Sequence, residues 1–254
     1  MSILLVVLLA MHVCARDSLN IDLPIEERIY RGENAGEHEF PTQVIFFSDF
    51  TRATITNCGG TILNEWFILT AAHCVNDTRQ FPWQAQVNVG SANISEGRKM
   101  FVRKFIVHEE YTGITNDIAL IKLAEPLVLD GVTVKAAILP EQDEEPASTK
   151  AIVIGTGFTD AYGSSATILQ KMETKLTECH RPMLYSDAKI LCVIEGSQKG
   201  LCHGDSGSPL FVDGKVVGEL HGLFPTFCFK RISKIAYTKV SSYRSWIDLK
   251  MKTE

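Results

Sequence analysis

Between residues 40 and 240 the apolar and β-branched positions come in short runs, at 43–47, 61–70, 86–89, 101–107, 118–123, 151–154, 210–212, 216–220 and 235–240. Turn formers such as Asn57-Cys58-Gly59-Gly60 and Asp213-Gly214 separate them. Runs of this length bounded by such residues predict strands, and their spacing favours antiparallel barrels or sandwiches. Strands do not alternate with long helical segments, which disfavours a βαβ architecture. The pattern changes twice. Residues 140–146, Pro-Glu-Gln-Asp-Glu-Glu-Pro, are acidic and hold two prolines, so they predict a linker between two β units. Residues 241–250 open on a Ser start signal and place apolar residues at helical offsets, with Lys250 and Lys252 suited to the negative end of a helix dipole, so one terminal helix is expected. There is no internal repeat or low-complexity tract.

The 254 residues and 45% hydrophobic content suffice for one large or two smaller all-β domains. A formal charge of -5 and the lack of a dense Lys/Arg run exclude a nucleic-acid binder that works by phosphate attraction. At the N-terminus, the apolar run at residues 3–11 ends on Val13-Cys14-Ala15 and predicts a signal peptide, residues 1–15, with export as the consequence. The run is too short to span a bilayer, and Arg16 and Asp17 follow it, so no membrane association is expected. Removing Cys14 leaves six cysteines, Cys58, Cys74, Cys179, Cys192, Cys202 and Cys228, an even number suited to an oxidising compartment. Arithmetic alone permits about fifteen pairings, and no spacing resembles a C-x-x-C zinc site.

Three segments carry candidate chemistry. In Gly204-Asp205-Ser206-Gly207-Ser208-Pro209-Leu210 a serine sits between small residues that let the backbone bend and approach a substrate. A hydroxyl is a weak nucleophile at neutral pH; it needs a base within hydrogen-bond reach, and that base needs a partner to set its tautomer. Thr70-Ala71-Ala72-His73-Cys74 offers a histidine beside a cysteine, and Asn116-Asp117-Ile118-Ala119-Leu120 offers an acid leading into an apolar strand. Each alone has a plainer reading, as a turn, a core histidine or a helix cap.

Together, in this order and with these cysteines, the three segments resemble the His, Asp and Ser motifs of the trypsin/chymotrypsin family of serine proteases, over nearly all of the chain from Ile29 onward. The resemblance implies two antiparallel six-stranded Greek-key β-barrels with a C-terminal α-helix: barrel 1 at about 29–140, barrel 2 at about 141–240 and the helix at about 241–254. It implies His73, Asp117 and Ser206 as a catalytic triad, with the N–H groups of Gly204 and Ser206 as an oxyanion hole. Glu26-Glu27-Arg28-Ile29-Tyr30 resembles the family's activation site. Residues 16–28 would be a propeptide, cleaved after Arg28 by a trypsin-like protease, and the new Ile29 amine would pair with Asp205. The disulfides implied are Cys58–Cys74, Cys179–Cys192 and Cys202–Cys228. A further family bridge is missing, and its two places hold Ala151 and Val212.

The pocket departs from the tryptic pattern. Gly200 stands where trypsins carry an aspartate, and a cationic substrate side chain would be desolvated there unpaired. Leu201 points to an apolar pocket, and Gly200-Leu201-Cys202-His203-Gly204-Asp205 looks like insect chymotrypsins. The family's Ser-Trp-Gly substrate strand reads His221-Gly222-Leu223, with His221 at the serine that hydrogen-bonds the triad acid, and Ile235 takes a position that is normally glycine. Bulk at Leu223 and Ile235 would favour small or medium aliphatic residues, as in elastases.

Trp66, Trp246 and the phenylalanines are expected in the core, and His38, His108 and His180 on loops or the surface. No calcium, metal or cofactor is expected, since residues 89–101 lack an acid cluster. Asn76 and Asn93 head N-glycosylation sequons. The expected partners are protein or peptide substrates, the activating protease and protease inhibitors, with the chain a secreted monomer. Two functions follow: a secreted endopeptidase cutting after apolar residues, or a non-catalytic binding or regulatory homologue on the same fold.

Overall fold

A computed structural model of the chain describes residues 32–51, 54–76, 81–159, 164–179, 188–194, 200–224 and 234–254. Thirteen strands and one helix occur among them. The first barrel consists of β2 (Gln43–Thr51), β3 (Thr54–Ile62), β4 (Phe67–Thr70), β5 (Gln86–Val89), β6 (Arg98–Val107) and β7 (Ala119–Leu123). It closes in the order β2-β3-β4-β7-β6-β5. The second uses β8 (Lys150–Gly155), β9 (Gln170–Thr177), β10 (Ile190–Ile194), β11 (Pro209–Val212), β12 (Lys215–Phe224) and β13 (Lys234–Lys239). Here the order β9-β10-β13-β12-β11-β8 closes through the β8–β9 pairing, while the two-residue β1 (Glu33–Asn34) adds to β9 outside the ring. Renumbered within each barrel, the two rings have the same strand order. Both are antiparallel Greek keys, as the resemblance implies.

The strands of the first barrel that face the second unit are apolar on both sides, because both sides are covered. Ile68 of β4 and Ala119, Ile121 and Leu123 of β7 fill the barrel, while Phe67, Leu69 and Leu120 turn outward and pack with Ile118, Val216 and Ile247. β6 has one solvated face, and its buried Met100 and Val102 alternate with exposed Lys99, Phe101 and Arg103. Ile247 belongs to α1 (Arg244–Thr253), so the C-terminal helix leaves the second barrel and buries its apolar stripe on the outside of the first. Residues 140–146 lie between β7 and β8 and are tied to that end of the chain: Arg244 donates to the Pro140 carbonyl (2.9 Å) and Ser245 to Gln142 (2.9 Å).

Several expected elements change. The run 61–70 is two strands, not one, because Asn64 Oδ1 accepts the N–H groups of Trp66 and Phe67 and turns the chain between β3 and β4. β9 and β10 were not anticipated. In β9 the inward Gln170 and Met172 alternate with Lys171 and Glu173, so the strand carries one strong hydrophobe in its first four residues. The helix does not start at Ser241: residues 240–243 form a 3-10 turn, and α1 begins after Tyr243 with no side-chain cap. Lys250 and Lys252 do occupy its last turn. Trp66 is 39% exposed rather than core. His108 lies on the loop after β6, as expected, with its ring packed against Trp246 (5.0 Å between ring centroids) and Tyr243 (5.4 Å).

Candidate active site

β4 and β7 are neighbours, with Thr70 opposite Ala119. The chain leaves β4 through Ala71 into a 3-10 turn, Ala72–Cys74, and enters β7 from Asn116-Asp117-Ile118. His73 and Asp117 therefore issue from the same end of adjacent strands although 44 residues separate them. Ala71 and Ala72 are fully buried, and the Cys58–Cys74 disulfide ties the turn to β3. Asp117 receives His73 twice: Oδ1 accepts the His73 backbone N–H (2.8 Å), and Oδ2 lies 2.7 Å from Nδ1 of its ring. A carboxylate held at both oxygens by one residue fixes the ring and directs the other ring nitrogen outward, where a third of the side chain, 32%, is exposed.

Asp117 itself is 2% exposed. Burial would push its carboxyl up, but the hydrogen bond and charge of His73, the charge of His221 and the His73 N–H together hold it below the usual carboxylate range. Its backbone is braced too. Thr238 of β13 donates to the Asp117 carbonyl (2.9 Å). Asn116 adopts a left-handed conformation (φ 54°), donates to the Glu110 carbonyl and accepts from Tyr243 (2.9 Å) and Lys189 (3.3 Å). Sequence reasoning passed over this strut. The available signal was an Asn directly before the acid, since Asn tolerates that conformation better than most residues.

Ser206 arrives from the second barrel, in the loop before β11. Its carbonyl accepts the Gly59 N–H of β3 (2.7 Å), and Thr70 Oγ1 donates to the Gly59 carbonyl (2.8 Å). That contact demands glycine on both sides. A Cβ on Gly59 would lie 2.1 Å from Ser208 Oγ, and one on Gly207 (φ 71°) would lie 2.4 Å from Thr70 Oγ1. The loop is closed by Ser208 N–H donating to the Asp205 carbonyl (3.0 Å) and by Gly207 donating to Leu220 (2.9 Å).

Asp205 is fully buried beneath this loop. Oδ1 accepts the Gly157 N–H (2.7 Å) and Oδ2 the Cys202 N–H (2.8 Å), yet desolvation pushes its carboxyl up to about 7 against these bonds. No cation faces it among the described residues; Arg28 and Ile29 lie outside them. Glu219 of β12 is a second fully buried acid, accepting from Thr61 Oγ1 of β3 (2.7 Å), and burial holds it well above the usual range.

The pocket residues are dispersed. Leu201 and Ile235 are fully buried together in the core of the second barrel with Val193, Leu220 and Tyr237. Gly200 is buried beside them, and His203 is exposed with its ring against Phe158 (5.9 Å). The Leu223 side chain and residues 225–233 are outside the described set. His221 reaches the triad acid, as its place at the family's serine implies, with Nδ1 3.3 Å from Asp117 Oδ2. Burial lowers its affinity for a proton, the charge of Asp117 raises it and that of His73 lowers it, with a net lowering. A cavity of about 850 Å³ elsewhere on the molecule includes none of these groups; Phe40, Ile138, Ile152 and Phe211 supply its apolar wall.

Cys179–Cys192 forms as expected, and Cys202 is disulfide-bonded, its expected partner Cys228 lying outside the described residues. Cys58, His73 and Cys74 bring three potential metal-ligand atoms within 4.8 Å, but both sulfurs are spent on each other. Asn76 is exposed after the His73 turn, whereas the Asn93 side chain accepts the Ser95 N–H (3.0 Å) and donates to Glu96 (3.1 Å). No described helix is long and apolar enough to cross a membrane.

A family model described as Trypsin matches residues 29–247. Among curated proteins, the chain is 29% identical over 230 residues to serine protease SP24D of Anopheles gambiae, covering 89% of this chain and 82% of that one. It is 30% identical over 208 residues to trypsin Tyr p 3.0101 of Tyrophagus putrescentiae, covering 77% and 72%. Among solved structures, the scabies mite inactivated protease paralogue S-I1 superimposes with a TM-score of 0.75 at 28% identity, over 88% of this chain and 99% of that one.

Proposed function

We propose, from the premise that the chain belongs to the trypsin family, that it is a secreted serine endopeptidase made as a precursor, cleaved after Arg28, and cutting beside apolar rather than cationic residues. One observation carries the reading. The His73 ring is locked by Asp117 at 2.7 Å in a turn that the Cys58–Cys74 bridge holds, and the Ser206 loop is docked onto the same strand, β3, through Gly59. The arrangement supports a base with a fixed tautomer next to a nucleophile from the opposite barrel.

In this reading His73 takes the Ser206 hydroxyl proton as Oγ attacks the peptide carbonyl. The Gly204 and Ser206 N–H groups receive the developing oxyanion, and each such donor contributes about 2.7–4 kcal/mol in the enzymes where one has been removed. His73 then gives the proton to the departing amine, and water repeats the sequence on the acyl-enzyme. Asp117 stays ionised and stabilises the His73 imidazolium. Asp205, buried and raised toward neutrality, is suited to receive the Ile29 ammonium once cleavage frees it, since a buried charge is tolerated when paired. Gly200 in place of an acid supports the apolar preference.

A second reading, a non-catalytic binding homologue, is favoured by the rebuilt strand His221-Gly222-Leu223 and by the likeness to a protease paralogue described as inactivated. Incubating the Arg28-cleaved protein and its Ser206→Ala variant with a mixed peptide library decides between them. Products from the parent alone support the enzyme; identical traces sink it. Cleavage after Lys or Arg would overturn the apolar pocket, and full activity in Arg28→Gln would refute the precursor.

A further inference from the structure

β12 pairs with β13 out of step at one place: Leu220 lies opposite Tyr237 and Gly222 opposite Ala236, so two steps along β12 answer one along β13. The extra residue is His221. A bulge of this kind re-aims the side chain it carries. Leu220 stays in the barrel core, and the His221 ring, 7% exposed, comes to rest with Nδ1 3.3 Å from Asp117 Oδ2. The same oxygen is 2.7 Å from His73 Nδ1. One carboxylate oxygen is thus shared by two imidazoles from different barrels.

We propose that His221 is a positioning residue for the triad, coupling the proton state of the Asp117–His73 pair to a second imidazole. With His221 neutral, its Nδ1 stands 3.3 Å from Asp117 Oδ2 and adds no charge, so the carboxylate remains available to His73. With a proton taken from solvent on its Nε2, His221 becomes a cation against the same oxygen. It then competes for the charge that must stabilise the His73 imidazolium formed when Ser206 gives up its proton. Among the described residues, Asp117 faces His221 from the loop before β7 and His73 from the 3-10 turn. From β13 come Ala236 and Tyr237, and the Tyr237 ring belongs to the barrel core. Among the described residues, Asp117 and His73 are the charges that act on it.

The catalytic consequence rests on the peptidase reading, whereas the coupling itself does not. With the Arg28-cleaved protein, log(kcat/KM) against pH is expected to steepen on its acid limb from one proton toward two. In His221→Gln, which keeps an N–H donor but does not titrate, a single-proton limb should remain. In His221→Leu, which removes the ring altogether, the same single-proton limb is expected. Nitrogen-15 NMR of the imidazole rings in the uncleaved full chain, from about pH 4 to 8 where histidines titrate, makes the same comparison without turnover. His73 should titrate in two steps in the parent and one step in His221→Gln. Identical acid limbs and identical His73 curves in parent and Gln variant overturn the proposal. Coupled NMR titration in a protein that cleaves nothing sustains the His221 assignment and sinks the peptidase reading instead.

Discussion

The two barrels have one topology and opposite electrostatic designs. The first holds the candidate base and acid, and its buried carboxylate, Asp117, is satisfied at both oxygens and held below the usual range. The second holds the candidate nucleophile, and its two fully buried carboxylates, Asp205 and Glu219, are pushed up by desolvation. Strand order alone therefore assigns no chemistry. What differs among the described residues is the kind of partner: the charges of His73 and His221 offset the burial of Asp117, whereas Asp205 and Glu219 have neutral hydrogen-bond donors.

The largest break in this comparison is Asp117→Asn. It leaves both hydrogen-bonding positions occupied but gives His73 the wrong tautomer, and kcat should fall about 10⁴-fold with the melting temperature nearly unchanged, a magnitude borrowed from the Ser-His-Asp template of this same family. Peptide hydrolysis and calorimetry on the cleaved protein check it.

Next comes the pH response of the second barrel. Asp205 titrates near 7 when folded against an ordinary 3.8, so its contribution to stability is complete below about pH 4 and is lost as pH rises through about 7. Each unit of difference is about 1.4 kcal/mol, so several kcal/mol are at stake in the uncleaved chain. Urea unfolding of the uncleaved chain should show this falling slope between about pH 4 and 7. Asp205→Asn should flatten it, whatever the variant's absolute stability. If the Ile29 amine pairs with Asp205, cleavage after Arg28 should flatten it as well.

A smaller change closes the second barrel more firmly. Leu210 and Phe211 of β11 face Val153 and Ile152 of β8, and the next step of that register puts Val212 opposite Ala151, both in the same apolar cluster. The double change Ala151→Cys, Val212→Cys should form a bridge under oxidising conditions and add about 2–4 kcal/mol, read by unfolding with and without reductant. The smallest effect is expected at Glu219. Burial pushes its carboxyl well up, toward the neutral form that an amide resembles, so Glu219→Gln should shift stability by less than about 1 kcal/mol near pH 7. A strong destabilisation there would mean that Glu219 is ionised in the fold.

The chain's local order determined a good deal by itself. Runs of β-branched and apolar residues specify most strands, since a strand covered on both faces needs little else, as β4 and β7 do. Residue types set the reactive candidates, because only His73, Asp117 and Ser206 come with the flanking glycines, alanines and cysteine that fit a turn or a close approach. β9 escaped because its burial is shared between a glutamine and scattered hydrophobes, a pattern that acquires meaning once β8 and β10 lie beside it. Tertiary structure alone decided the rest: that two imidazoles share one carboxylate oxygen, that Asn116 hangs from Tyr243, and that Leu201 and Ile235 are packed in a core. Each depends on distances between residues far apart in the chain. Desolvation and Coulomb forces act through those distances, which exist once both barrels have closed and docked.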